Sequence, residues 1–394
     1  MRVWYSFPLR IGRSGIGETA IQQVRGIAEH GATVTLWCGS LEAEAAGVAR
    51  VVETNRPAGF RLPMKLMGLD RWRRWHDGVV AKALRKAPAN LLPDVVHAWP
   101  LGALETIRAA QARGVAVVLE RPNAHTAFAY SVVEAESRKL GVPVSEDNPH
   151  HADPARLARE EAEYDAADAL LCPSDFVRQT FVDQGVSEAK LVRHRYGYDA
   201  ARFKPAELNG HEPGGLRALF AGRCEPRKGL HYALEAWAKS GVGEDGGTLT
   251  LCGVFEPAFR EACAKWLELP GVDDAGFVTD IETRMRNSDA LVLPSIEEGS
   301  ALVTYEARAC GCLLLVSDAA GAVVADGADG LLHRPGDVAA LAEHYRRLHD
   351  DPALRRRMRA ASAAVAADLT WSAAGARLLE AYAETIDRAR PVAR

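Results

Sequence analysis

Residues 291–311 read LVLPSIEEGSALVTYEARACG. An apolar run ends at Leu293, a polar turn follows Pro294, and from near Ser300 the apolar positions recur at helical spacing. A strand that ends in a turn and re-enters as a helix is the repeating unit of a parallel α/β sheet. The same grammar extends outward in both directions. Leu216–Ala221, Thr248–Cys252, Ala290–Leu293 and Leu313–Val316 read as strands in the C-terminal half. Arg2–Phe7, Thr33–Cys38, Asp94–Trp99, Val115–Leu119 and Ala169–Cys172 do so in the N-terminal half. Amphipathic stretches such as Thr19–His30 and Leu101–Ala112 lie between them. The Pro-, Gly- and polar-rich segment Phe203–Gly215 (FKPAELNGHEPGG) separates the halves as a linker, and Asp337–Arg390 is helical. The expected fold is therefore α/β, with two doubly wound domains facing one another. Ligands of such open sheets sit beyond the carboxyl ends of the strands, so a cleft between the domains is the expected site.

Composition narrows the function. The chain has 394 residues, which at about 150 per domain suggests two or three domains. Hydrophobic residues at 48% and charged ones at 25% supply a full core and exclude a disordered or disulfide-stapled chain. A formal net charge of −4 gives no electrostatic support for nucleic-acid binding. The seven cysteines contain no C-x-x-C pair and mostly sit in apolar runs, as reduced core thiols do. The first residues, MRVWYSFPLR, run straight into a strand without a leader-like apolar segment, so a cytoplasmic protein is expected.

Three turns carry candidate chemistry. Gly12–Glu18 (GRSGIGE) joins the first strand to a helix, and its glycines let backbone approach a ligand near a helix N-terminus. A plain tight turn would read the same, and the dinucleotide pattern G-x-G-x-x-G and the phosphate-loop pattern are both absent. In AGRCEPRKGL (Ala221–Leu230), Arg223 and Lys228 flank a second strand-to-helix turn. Cations oppose the helix dipole there, so an anion such as a diphosphate would offset them; solvated surface cations are the alternative. In the opening stretch, Glu298 lies in the turn and Glu306 about two turns into the helix. Gly299, Ser300 and the following amides would face phosphate oxygens, and a carboxylate at 306 would accept hydrogen bonds from a diol.

Taken together these turns resemble the retaining glycosyltransferases of GT-B fold, family 4 type (glycosyl transferases group 1). Glu298 and Glu306 match that family's E-x7-E motif, and Gly222–Gly229 matches its G-R-x(4)-K-G diphosphate turn. Tyr196-Gly197-Tyr198-Asp199 with Phe203 and Pro205, Gly276-Phe277-Val278 and Trp371 extend the likeness over nearly the whole chain. Glu120–Thr126 (ERPNAHT) looks like the segment presenting the family's active-site histidine, here His125. The resemblance implies two Rossmann-like domains, an acceptor-side one over 1–207 and a nucleotide-sugar domain over 208–370. A helix over 371–394 would cross back to the first domain. It implies a hexosyltransferase that moves a sugar with retention from a nucleotide-diphosphate donor (UDP- or GDP-sugar) to an acceptor hydroxyl, without metal or cofactor. Arg223 and Lys228 would neutralise the departing diphosphate, Glu298 would hold the sugar, Glu306 the ribose, and His125 would lie near the sugar or the acceptor. Gly15, Gly17, Gly222, Phe277, Val278, Gly299, Ser300, Ala301, Leu302 and Val303 would line the donor site.

The likeness has departures. The family often carries Gly-Phe-Gly after the first glutamate, whereas this chain has Gly299-Ser300-Ala301, and two added side chains bear on how the sugar fits. His125 stands a few residues beyond the strand end, where a loop histidine bonded to backbone is the alternative. Asp147, His150, His151 and Asp153 resemble a metal cluster but lack ligand spacing, and a solvated loop is expected there. The segment 61–86, basic and holding Trp72 and Trp75, reads as an amphipathic surface helix that would also suit peripheral contact with the inner membrane face. The acceptor implied is a lipid-linked molecule or a small metabolite. An epimerase or phosphorylase of the same fold, or a non-catalytic nucleotide-sugar-binding protein, are the competing readings.

Overall fold

The computed structural model describes residues 1–12, 15–56, 62, 67–205 and 214–389. Among the described residues thirteen strands form two sheets. The first holds β1 (Arg2–Ile11), β2 (Thr33–Leu41), β3 (Arg50–Glu53), β4 (Val95–Ala98), β5 (Ala116–Glu120), β6 (Ala169–Cys172) and β7 (Leu191–Arg193), in the order β3-β2-β1-β4-β5-β6-β7. The second holds β8 (Arg217–Ala221), β9 (Thr248–Cys252), β10 (Val272–Gly276), β11 (Ala290–Leu293), β12 (Leu313–Ser317) and β13 (Gly330–His333), in the order β10-β9-β8-β11-β12-β13. All pairings between these strands are parallel. In each sheet the first strand lies inside and the chain winds outward both ways, which creates a switch point where a ligand crevice opens.

Helices cover both faces. Those of the first lobe are α1 (Ile16–Glu29), α2 (Leu69–Lys86), α3 (Leu104–Gln111), α4 (Thr126–Leu140), α5 (Pro154–Ala166) and α6 (Asp175–Asp183). Those of the second are α7 (Leu230–Ser240), α8 (Pro257–Leu267), α9 (Ile281–Arg286), α10 (Leu302–Ala309), α11 (Val338–Asp350) and α12 (Pro352–Ala366), followed by α13 (Trp371–Ala389). Strands β4, β5, β6, β11 and β12 are buried along their whole length, as expected for strands covered on both sides.

The nine strands expected from apolar runs are the nine interior ones. The four that escaped notice, β3, β7, β10 and β13, are the four sheet edges. An edge strand is half covered and need not be apolar: β3 reads RVVE and β10 reads VDDAG, neither with a fully buried residue.

Two crossings connect the lobes, and they run side by side. Tyr198 pairs with Thr370, its N–H bonds to Leu369 O, and the Trp371 N–H returns to Tyr198 O. Beyond this hinge, α13 lies against α1 of the first lobe. The crossing passes through Gly26 and Gly375, because a Cβ on Gly375 would come within 2.2 Å of Gly26 backbone. Leu378, Ala381, Tyr382 and Ile386 of α13 enter the first lobe's core, and the Tyr382 hydroxyl is 2.6 Å from His97 Nδ1. The boundary expected at 207/208 lies outside the described residues. No described helix is long and apolar enough to cross a membrane. Within 61–86, the described α2 buries Trp72 completely, its indole N–H donating to Pro8 O at 2.6 Å, and leaves Trp75 partly exposed. Residues 61 and 63–66 lie outside the described part.

Candidate active site

The carboxyl ends of β8, β9 and β10 and the face of α10 enclose a cavity of about 660 Å³. Gly222, Arg223, Phe277, Val278, Val303 and Glu306 all line it, with Val254, Phe255 and Ile281 completing an apolar wall. Six of the expected donor residues, drawn from three separate turns, thus share one space. Phe277 is 76% exposed at its mouth, an unusual position for a phenyl ring unless something covers it. The Glu306 carboxylate accepts no hydrogen bond from the described residues, and burial pushes it up to about 7, with the Arg202 charge opposing the rise and Glu282 adding to it. A lone carboxylate in an apolar wall is suited to receive hydroxyl donors.

Arg223 reaches outward, its guanidinium 3.0 Å from Glu256 and 3.5 Å from Glu225. Lys228 does not line the cavity. Its stem passes over Gly222 (Cε 4.0 Å from where a Cβ would stand) and its ammonium pairs with Glu298. Arg227, which sequence reading passed over, joins the same carboxylate at 2.9 Å and also bonds Glu225 at 3.0 Å and Glu297 O at 2.9 Å. The two cations hold Glu298 at the bottom of the strand-to-helix turn. Arg227 sat unread inside the PRK run (Pro226–Lys228) because adjacency to a motif lysine carries no signal of its own.

Glu297 is the second residue that sequence reading missed. Fully buried, it accepts from the Ala124 amide at 3.0 Å and lies 3.2 Å from His150 Nε2, both in the first lobe, and 3.4 Å from Arg227 in the second. Burial alone would raise its carboxyl; the hydrogen-bonded His150 and the Arg227 charge outweigh that and hold it at about 2. Gly299 tightens the same seam. A Cβ there would stand 1.6 Å from Pro122 O, and Gly299 O accepts the Ser174 hydroxyl at 2.5 Å. Only glycine admits so close an approach of two backbones. His150 is thus spent on Glu297 and Asp153 on capping α5. Among the described residues no group of three or more His, Cys, Asp or Glu is placed to hold a metal ion.

The unusual Ser300 turns inward. Its hydroxyl is 2.7 Å from Tyr305 OH and donates to Gly321 O at 3.0 Å, and Ala301 is also buried. Neither added side chain projects into the cavity. Leu302 begins α10, whose N-terminus carries no side-chain cap, so its first amides keep free donors beside Val303.

Two expectations take a different form. His125 caps α4, its Nδ1 accepting the Ala127 amide at 3.2 Å, and its ring packs between Tyr164 and Phe181 at centroid distances of 5.3 and 5.0 Å. It lines neither the cavity described above nor a second one, of about 480 Å³, in the first lobe. Burial, aided by the Arg121 charge, lowers it to about 4, so it is neutral near pH 7. In the described chain His125 is thus bonded to backbone at the start of α4. Gly15 and Gly17 border a separate crevice with Leu9, Arg10 and Ile16, two of which also line the first-lobe cavity, and neither glycine lines the cavity that holds Glu306. Residues 13 and 14 of that turn lie outside the described part.

This arrangement of paired open sheets, hinge and cross-lobe seam is that of the GT-B enzymes. Residues 215–351 match the family described as glycosyl transferases group 1, and residues 13–202 match glycosyltransferase family 4. Glycogen synthase of Mycobacterium tuberculosis is 30% identical over 336 residues, covering 82% of this chain and 72% of that protein. A D-inositol 3-phosphate glycosyltransferase of Arthrobacter sp. (strain FB24) is 27% identical, covering 79% and 80%. Among solved structures, sucrose-phosphate synthase from Thermosynechococcus elongatus superposes with a TM-score of 0.69 at 18% identity, covering 98% and 99%. Anabaena HepE in complex with UDP-glucose does so at 0.63 and 16%, covering 97% and 99%. The chain belongs to the group 1 glycosyltransferases and is a glycosyltransferase of GT-B fold.

Proposed function

We propose that this protein transfers a hexose from a nucleotide-diphosphate sugar to an acceptor hydroxyl, with retention at the anomeric carbon and without a metal ion. The observation that carries the reading is the shared cavity, with Gly222, Arg223, Phe277, Val278, Val303 and Glu306 on one wall and the Lys228–Glu298 pair beside it. In this reading the base lies against Phe277 and Val278 and the ribose diol donates to Glu306. The diphosphate meets Arg223, Lys228 and the free amides that open α10. Fixed cations aimed at the leaving group stabilise the charge that grows on it as the glycosidic bond breaks. Glu298 then exchanges part of its pairing with Lys228 for the sugar hydroxyls. Retention follows from front-face attack, in which a departing phosphate oxygen takes the incoming proton. The named functions of the relatives and the UDP-glucose held by Anabaena HepE support a nucleotide-sugar donor, UDP-linked in the first instance.

The test is a panel of UDP- and GDP-sugars in chelator-treated buffer. Thermal shift ranks the donors, since a ligand at a hundredfold excess over its Kd adds about 2.7 kcal/mol of apparent stability. NMR of the product anomer then reads the stereochemistry. Binding of no nucleotide sugar, or an inverted product, would overturn the proposal.

A further inference from the structure

The first lobe contains a second cavity, about 480 Å³, that opens toward Arg227 at the seam between the lobes. Its interior is unlike that of the nucleotide cavity. Arg73, Arg121 and Arg156 all line it, and only one buried carboxylate, Glu160, stands among them; Glu146 and Asp147 lie at the exposed rim.

The three guanidiniums are poorly matched within the protein. Arg121 is 2% exposed, and its Nε and one terminal nitrogen have no hydrogen-bond partner. Its nearest carboxylate oxygen, on Glu160, is 3.9 Å away, and the group rests 4.4 Å over the Tyr164 ring. Arg156 donates from one terminal nitrogen to Pro149 O at 2.7 Å and stands 3.8 Å from the same Glu160 oxygen, while its buried Nε is unpartnered. Arg73 has an unpartnered buried Nε, and its one carboxylate partner, Asp70 at 3.5 Å, is largely exposed. Burial depresses Arg73 and the Arg156 charge adds to this, with Asp70, Glu160 and Glu163 opposing. Glu160 cannot serve them all, since Thr126 and Tyr164 already bond it.

Buried donors without acceptors cost free energy that a ligand recovers by supplying the acceptor. The lining sets Arg73, Arg121, Arg156 and Arg227 against Glu160 and the rim carboxylates Glu146 and Asp147, an excess of positive charge, and a phosphomonoester at pH 7 carries about −1.5 to −2. Guanidinium is the side chain whose forked donors fit phosphate oxygens. We propose that this cavity receives an acceptor whose hydroxylated body carries a phosphomonoester, held by Arg73, Arg121 and Arg156. The inference rests on the glycosyltransferase reading for the word acceptor; the anion site itself stands on the cavity alone. The phosphate arrives on a soluble sugar phosphate or on a lipid headgroup, and the experiment separates the two.

Calorimetric titration of the full chain with glucose 6-phosphate and with glucose, and flotation with vesicles containing phosphatidic acid, read the anion site. UDP binding by the same preparations reads whether the fold survives each substitution. The expected result is that glucose 6-phosphate, or the phosphatidic acid vesicle for a lipid source, binds at least about tenfold more tightly than its phosphate-free counterpart. Arg156→Gln and Arg73→Gln should each erase that preference by about tenfold, the size of one charge-assisted hydrogen bond. Equal binding of phosphorylated and plain ligands, or variants that keep the preference, would overturn the site. If phosphate binds as expected while no nucleotide sugar does, the anion site stands and the glycosyltransferase reading falls.

Discussion

The two cavities meet a ligand by opposite means. The one in the second lobe is walled by backbone and apolar side chains, with a single unpaired carboxylate and cations at its edge. The one in the first lobe is crowded with guanidiniums on α2, α4's approach and α5. A site built from turn backbone and one or two fixed charges needs a local sequence pattern, because the turn, the cation and the helix start lie within a few residues. A site built from separate elements needs no spacing at all, so it leaves no pattern to read.

Predictions that would break or sharpen this contrast run from large effects to small. Lys228→Ala should lower kcat by about 10²–10³-fold, the usual loss for one donor aimed at developing charge, with the thermal unfolding profile kept. A variant that turns over normally would detach the diphosphate from the second lobe. Gly299→Ala forces a methyl against Pro122 O and should cost about 1–3 kcal/mol in chemical denaturation, with transfer falling as the seam opens. An unaffected variant would mean that the lobes do not meet there in solution.

Glu306→Gln tests the lone carboxylate through pH. Its folded pKa of about 7 exceeds the ordinary glutamate value, so between the two the folded state binds the extra proton and stability falls as pH rises. The amide should match the wild type near pH 5 and be more stable at pH 8 by on the order of 1–3 kcal/mol, while binding UDP more weakly. Identical pH profiles would place that carboxyl in water. The smallest effect belongs to Ser300→Gly. Because the hydroxyl faces Tyr305 and Gly321 O, its loss should cost about 1 kcal/mol of stability and leave the donor KM unchanged. A shifted KM would turn that side chain back toward the sugar.

Much of the fold was legible because interior parallel strands must be apolar on both faces, and all nine such strands announced themselves as runs. The four edges did not: VDDAG and RVVE satisfy a half-covered position without any run, and LVR and GLLH, though mostly buried, are too short to stand out as one. Within the site, Glu306, Phe277 and Val278 were legible from local motif. Glu297 was not, because its partners Ala124 and His150 stand more than a hundred residues away in sequence, and Arg227 was not, because the carboxylates it meets at 297 and 298 lie about seventy residues on. His125 shows the reverse case. The motif nominated the ring, and packing against Tyr164 and Phe181 decided where it points.

The sequence by itself determined that two wound sheets would form and that each would end its central strands in ligand-ready turns, because periodicity and turn chemistry act over a few residues. Only the tertiary structure decided which charges find partners. Pairing depends on where distant elements come to rest, and that left the Glu306 carboxylate and the Nε groups of Arg73, Arg121 and Arg156 without a hydrogen bond while Lys228 was held by Glu298.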